Sequence, residues 1–167
     1  MRLYRYVGPR EITARAGGER RGVPIRSAAD IRAWVASSKQ ELLNCQVIAT
    51  FIVEATGTLR IADRRSEHVA CAGGEPVQSA GEITFAVGKS IDVVEVSNQS
   101  TGYCPEPESW PAVAAALAKA GLPVPDGFTL ICEFRRCLKC DNIILVKNNV
   151  LKCGMCEAAL PVAYNVQ

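Results

Sequence analysis

The chain has 167 residues, 49% of them apolar, and 19 Lys/Arg against 17 Asp/Glu give a net charge of +2. That length suits one domain of ordinary size with a real core, and the balanced charge lacks the general basic excess of a chain built around nucleic acid. No stretch approaches the roughly 20 apolar residues of a membrane span, and the opening Met1-Arg-Leu-Tyr-Arg-Tyr-Val7 lacks the apolar run of a signal peptide.

Leu3 to Val7 alternates apolar and polar residues and is predicted as a first strand, ended by Gly8-Pro9. Residues 15–24 read as a polar, glycine-rich loop. Ser27 with Asp30 three residues on is a capping-box pattern, and Ile31, Trp34 and Val35 then share one helical face up to Ser37-Ser38. Gln46 to Ala55 is rich in β-branched residues and predicts a central strand. Thr56-Gly57 turns it back into a partner strand over Thr58 to Ala62. Residues 63–82 read as loop. Glu82 to Val87 and Ile91 to Ser97 predict a second hairpin across Gly88-Lys89, followed by a polar loop over 98–108. Ser109 is placed to cap a helix over Trp110 to Ala120, with Pro111 in its first turn and Gly121 as its C-cap. After the stiff Leu122-Pro-Val-Pro125, Phe128 to Arg135 predicts a strand that leads into the last segment.

That segment carries the most specific chemistry in the chain, Cys137-Leu-Lys-Cys140 and Cys153-Gly-Met-Cys156. Each C-x-x-C lets two thiolates reach one ion, and two pairs complete a tetrahedral four-thiolate zinc site. Between them, Asn142 to Lys147 predicts a strand, Asn148-Asn149 a tight turn, and Val150 to Lys152 the return strand, which would bring the second pair beside the first. The pairs are separated by 12 residues, slightly fewer than usual for this motif, and Asp141 and Glu157 stand where such knuckles often have glycine. A redox pair is the alternative, but redox motifs are usually single and precede a helix. One structural zinc per chain, held by Cys137, Cys140, Cys153 and Cys156, is therefore expected. Cys45, Cys71, Cys104 and Cys132 are scattered, do not form a disulfide framework, and point to a reducing cytoplasm.

The predicted class is α+β: a mainly antiparallel sheet with two helices and a C-terminal four-cysteine zinc ribbon. The expected division is an α+β domain over 1–127, with the last strand and ribbon over 128–167 packed on it. Charge is uneven. Residues 1–40 carry nine Lys/Arg against three Asp/Glu, residues 41–110 carry four against ten, and residues 111–167 carry six against four. Attraction within one fold accounts for this better than a basic face for an acidic partner, because no run of like charge occurs. Arg135, Arg136, Lys139, Lys147 and Lys152 surround the cysteines. They either offset the thiolates, the reading favoured here, or form a nucleic-acid surface.

Two loops concentrate reactive groups, residues 63–74 and 97–108. If they meet at one sheet edge, a cleft would offer Glu67, His68, Glu82, Ser97, Asn98, Tyr103 and Cys104. His68, the only histidine, is a candidate general base oriented by Glu67 or Glu82, with Cys71 or Cys104 as nucleophile. His68 and Cys71 are also spaced as two ligands of a second metal. The bland readings weigh more: a hydrogen-bonded histidine, and a Cys71 buried as a small apolar residue among Val69, Ala70 and Ala72. Arg60, Arg64 and Arg65 can hold a phosphate or carboxylate, with Ser97 and Asn98 as further ligand-binding candidates. Ala72-Gly-Gly-Glu-Pro-Val77 is a turn, since it lacks phosphate-loop spacing and precedes a strand.

The segments Ser66-Glu-His68, Gly73-Gly-Glu-Pro-Val77, Ala80-Gly-Glu82 and Ser97-Asn-Gln-Ser-Thr-Gly-Tyr103 resemble an uncharacterised family of bacterial zinc-ribbon proteins. They are more loosely similar to a β-rich module of polymorphic-toxin and effector proteins, over about residues 58–110. That module has small-His-Tyr where this chain has Thr101-Gly-Tyr103, so no histidine role carries over. The resemblance implies a bacterial origin and a place in conflict or regulation, and no reaction. The expected function is a zinc-containing binding or accessory module for a protein partner. The alternatives are a hydrolase or transferase with its site between the two loops, and nucleic-acid binding through the basic ribbon.

Overall fold

A computed structural model describes residues 2–12, 21–38 and 42–167. Most of the predicted 15–24 loop lies outside the described residues. Its last residues are a short edge strand, β1 (Val23–Ile25). The chain continues through helix α1 (Ala28–Ser37), β2 (Gln46–Glu54), β3 (Leu59–Asp63), the one-turn helix α2 (His68–Ala72), β4 (Val77–Val87) and β5 (Ile91–Val96). A 3₁₀ turn (Pro107–Ser109) then leads into helix α3 (Trp110–Lys119), β6 (Glu133–Arg136) and β7 (Ile143–Val146). The class is α+β. β1-β3-β2-β4-β5 form one five-stranded antiparallel sheet, and β6-β7 form a second sheet of two strands.

Local signals explain most of these elements. The Ser27 hydroxyl accepts the Asp30 N–H at 3.4 Å, and the Asp30 carboxylate accepts the Arg26 N–H at 2.8 Å. One orphan donor of α1, and the N–H just before its cap, are thereby satisfied. Ile31 and Trp34, one turn apart, are the buried face of that helix. Gly57 adopts a φ of 76° in the β2–β3 turn, and Gly121 one of 65° just past α3, conformations that favour glycine.

β2 is central and buried on both sides. Ala49, Phe51 and Val53 point into the main core with Leu59, Ile83 and Phe85, under α1 and α3. Ile52 points the other way, against Tyr4, Val69, Val77 and Tyr103. The second layer is thin because α2 is only one turn. It is completed by residues 2–7, which are not the predicted strand: only Tyr4 pairs, with Val77, through reciprocal bonds of 2.7 and 2.9 Å.

Four other expectations are corrected. Residues 63–82 hold α2, and β4 begins at Val77 rather than Glu82. Ser109 does not cap α3. It sits in the 3₁₀ turn with its hydroxyl 2.9 Å from that of buried Ser79. The strand over Phe128 to Arg135 reduces to β6, because Thr129 and Leu130 instead bond to the Val96 carbonyl at the β5 edge. Val150 to Lys152 is not the partner of β7, which pairs with β6 from Glu133↔Val146 to Arg136↔Ile143. The Asn148-Asn149 turn does form, with φ of 52° and 57°, but the chain leaving it pairs with its own continuation at Lys152↔Ala159.

Candidate metal centre

Two short hairpins place one C-x-x-C each at their tips. In both, the same backbone pattern folds the knuckle. The Cys137 N–H donates to the Asn142 carbonyl at 2.9 Å and the Asp141 N–H to the Cys137 carbonyl at 2.9 Å. Cys153 to Ala158 and Glu157 to Cys153 repeat this at 2.8 and 2.9 Å. Asp141 and Glu157, at the positions where glycine is usual, take φ of 59° and 63°. The sequence lacks the permissive residue there, and the fold imposes the left-handed conformation anyway.

All four sulfurs lie within 4.8 Å of one another, with Cys137–Cys156 at 3.5 Å and Cys140–Cys153 at 3.6 Å. A tetrahedron with metal–sulfur bonds of 2.3 Å has edges of about 3.8 Å, so the set matches the size of one ion. Cys137 and Cys153 are buried, and Leu160 packs against the cluster. Donors already point at the sulfurs: the Met155 N–H lies 3.4 Å from Cys153 Sγ and Asn142 Nδ2 lies 3.3 Å from Cys140 Sγ. The Asn142 side chain and backbone amide bring Cys140 down to about 6. The Ala158 amide pulls Cys156 down too, but burial and the three neighbouring sulfurs outweigh it and leave that thiol at about 12. Four sulfurs this close cannot all ionise without a cation, and amide donors favour the thiolate form a metal requires. The residues present therefore fit a metal ion.

The surrounding cations are mostly engaged with carboxylates. Arg135 pairs with Glu133 at 3.0 Å, Arg136 with Asp141 at 3.2 Å and Lys152 with Glu157 at 3.6 Å. Among the described residues, Lys139 and Lys147 have no carboxylate partner within 4.0 Å. The ribbon thus presents little unpaired positive charge.

The polar loops do meet, across Gly81 of β4, but they pack together. His68, half-buried at the start of α2, donates Nε2–H to the Gly81 carbonyl at 3.0 Å. The Gly81 α-carbon lies against the Ser97 backbone. Ser97 is buried, its hydroxyl accepting the N–H groups of Glu82 and Gln99. Asn98 is fully buried, donating to the Pro105 and Cys132 carbonyls at 2.8 and 2.7 Å and accepting the Cys132 N–H at 2.7 Å. Tyr103 is a core residue whose hydroxyl donates to the Glu75 carbonyl at 2.7 Å. Burial pushes the Cys71 and Cys104 thiols up to about 12, so neither is a ready nucleophile. Glu67, Arg64 and Arg65 are exposed and Glu82 is half-buried. Arg60 is bound to Glu54 and the Gly22 carbonyl. The cleft expected from Glu67, His68, Glu82, Ser97, Asn98, Tyr103 and Cys104 does not form as such, because Ser97, Asn98, Tyr103 and Cys104 are buried in the protein. Cavities of about 240, 220 and 140 Å³ are lined by other residues.

Sequence reasoning missed that these polar groups hold the fold, and Gly81 was the available signal. A Cβ there would overlap the Ser97 carbonyl oxygen. Gly81→Ala should destabilise the protein by about 1–3 kcal/mol in urea unfolding, since rigid backbone has to shift. His68 gives a pH signature. Burial holds its pKa below the ordinary 6.5, against the smaller upward effect of the Gly81 carbonyl. The folded state thus binds fewer protons than the unfolded chain on the acid side. Its contribution should be complete above pH 6.5 and fade as pH falls through the depressed folded value. His68→Gln should flatten that limb of the stability–pH curve.

No family model, curated protein or solved structure matches the chain.

Proposed function

We propose that this protein is a binding module with a structural zinc ribbon, which recognises a protein partner through the tips of its two knuckles. The observation that carries the reading is the contrast between the two candidate surfaces. Ser97, Asn98 and Tyr103 of the polar loops spend their side chains on internal bonds, whereas the knuckles expose large apolar residues, Leu138 at 80% and Met155 at 72%. Each sits inside a C-x-x-C, within two residues of thiols of the same cluster. Exposed apolar side chains on a rigid support are a protein-contact signature when they cluster. The small unpaired charge and the absence of an aromatic between the cysteine pairs favour a protein over a nucleic acid.

Zinc is the ion best suited to the four thiolates, because a closed tetrahedral sulfur site is its usual structural form and needs no redox partner. Such a site supplies folding energy and no reaction. All eight cysteines are unpaired, which supports a reducing compartment such as the cytoplasm. No helix among the described residues is long and apolar enough to cross a membrane. The resemblance of the 58–110 segments supports a place in a bacterial conflict or regulatory system.

The test is a Leu138→Asp, Met155→Asp double variant. A partner recovered with the native protein, then purified and rebound in vitro, should lose at least about tenfold in affinity for the variant, whose metal content stays unchanged. Undiminished binding would move the contact surface elsewhere. Sub-micromolar binding to nucleic acid at physiological salt, with a steep salt dependence, would overturn the reading.

A further inference from the structure

Residues 160–167 leave the second knuckle and run back across the sheet body without joining a helix or strand. Leu160 packs on the thiol cluster. The Asn165 side chain brackets the Arg136 backbone, accepting its N–H and donating to its carbonyl, both at 2.8 Å. Val166 is buried with Cys104, Cys132 and Phe134. Tyr164 donates its hydroxyl to the Cys104 carbonyl at 2.9 Å and sets its ring edge-on to Tyr4, centroids 6.5 Å apart. The Gln167 side chain exchanges two 2.7 Å bonds with the Arg5 backbone and donates to the Tyr103 carbonyl at 3.0 Å.

These eight residues therefore fasten three parts to one another: the thiol cluster, residues 2–7, and the 97–104 loop. A segment with no ladder of its own is only as stable as its attachments. Its first attachment, Leu160 with the Leu151 carbonyl and the Lys152↔Ala159 bridge, belongs to the second knuckle. That knuckle is the part whose folding is linked to metal. The main core under α1 and α3 has no share in these contacts.

We propose that residues 160–167 are a latch whose closure is set by metal occupancy of the four-cysteine cluster. Closed, it covers Tyr4, Tyr103, Cys104 and Phe134. Open, it uncovers that apolar surface while the five-stranded sheet stays folded. Metal availability, or any modification that expels the ion, thus becomes a change in exposed surface at the opposite end of the segment. The proposal rests on the metal assignment above, but the fastening itself can be tested without touching the metal.

The experiment is iodoacetamide labelling of the native chain under reductant, mapped by peptide mass, before and after stripping with a chelator. Cys71 is the internal control. It is buried within α2, its carbonyl accepting the Gly22 N–H at 3.0 Å; it shares a cluster with Tyr4 and Tyr103, on which Tyr164 packs, but it is held by its own helix and by Gly22 rather than by residues 160–167. Stripping should make Cys104 and Cys132 react at least about tenfold faster while Cys71 stays protected. Continued protection of Cys104 in the stripped protein overturns the proposal, and so does equal exposure of Cys71, which would mean that metal holds the whole body. In the loaded protein, an Asn165→Ala, Gln167→Ala variant should speed labelling of Cys104 with metal content unchanged; unchanged labelling overturns the latch. If the purified chain holds no metal, the zinc assignment fails, and this variant still decides whether residues 160–167 cover Cys104.

Discussion

Replacing Cys153 with serine should unfold the ribbon and leave the five-stranded sheet standing. Apparent binding energies at structural four-ligand sites are on the order of 10–16 kcal/mol near neutral pH, and they are folding energies, because the site does not exist in the unfolded chain. Phe134, Ile143 and Leu145 dock the ribbon on the body, but its own ladder is too short to hold the knuckles. Its two-stranded sheet spans only Glu133–Arg136 and Ile143–Val146, and an isolated pair of this size is marginal in water. Hydrogen exchange reads the result directly. The amides of Cys137, Asp141, Cys153 and Glu157, which make the paired knuckle bonds, should lose protection in Cys153→Ser. Those of β2 and β4, paired along nearly their whole length, should keep it. Serine keeps the shape of the side chain, so lost protection in the ribbon reports lost metal rather than a cavity.

The second large effect is expected at Asn98, which sequence inspection places among ligand-binding candidates. Its side chain joins the 97–108 loop to the start of the ribbon, bonding Pro105 and both backbone groups of Cys132 in a buried setting. Asn98→Ala removes three bonds and strands three buried polar groups. Each costs about 1–3 kcal/mol unless water reaches it, so a total of about 3–5 kcal/mol is expected in urea unfolding. Gln99→Ala, an exposed neighbour, should stay within about 0.5 kcal/mol. If the two variants are equally mild, Asn98 does not hold the junction. Intact stability with loss of a bound ligand would restore its reading as a binding residue.

What could be read from the residues divides along the range of the interactions involved. α1, β2, β3 and α3 are specified locally, by a cap, β-branched runs, a turn glycine and a terminal glycine, and each was visible. The thiol cluster was visible because its spacing is a covalent constraint on where four sulfurs can go. α2 was not, since a one-turn helix has no period of its own and exists by burying Val69, Ala70, Cys71 and Ala72. The first half of β4 was hidden for a related reason. Pro76, Ser79 and Gly81 look like loop, but Gly81 marks a close approach of two backbones inside a sheet. The β7 partner was misread because the Asn148-Asn149 turn is real and adjacent, while the true partner β6 lies before the first knuckle. The polar loops misled most. Asn98 is satisfied by a residue 34 positions away, and nothing local distinguishes a polar side chain that builds a site from one that closes a core.

The central claim is a closed four-thiolate zinc centre that organises the ribbon. X-ray absorption on the purified native chain, with metal stoichiometry from the same sample, tests it most directly. One zinc per chain with a shell of four sulfurs at about 2.3 Å is the predicted result. A chain without bound metal, or an ion with nitrogen or oxygen in its first shell in place of one of Cys137, Cys140, Cys153 and Cys156, would contradict it.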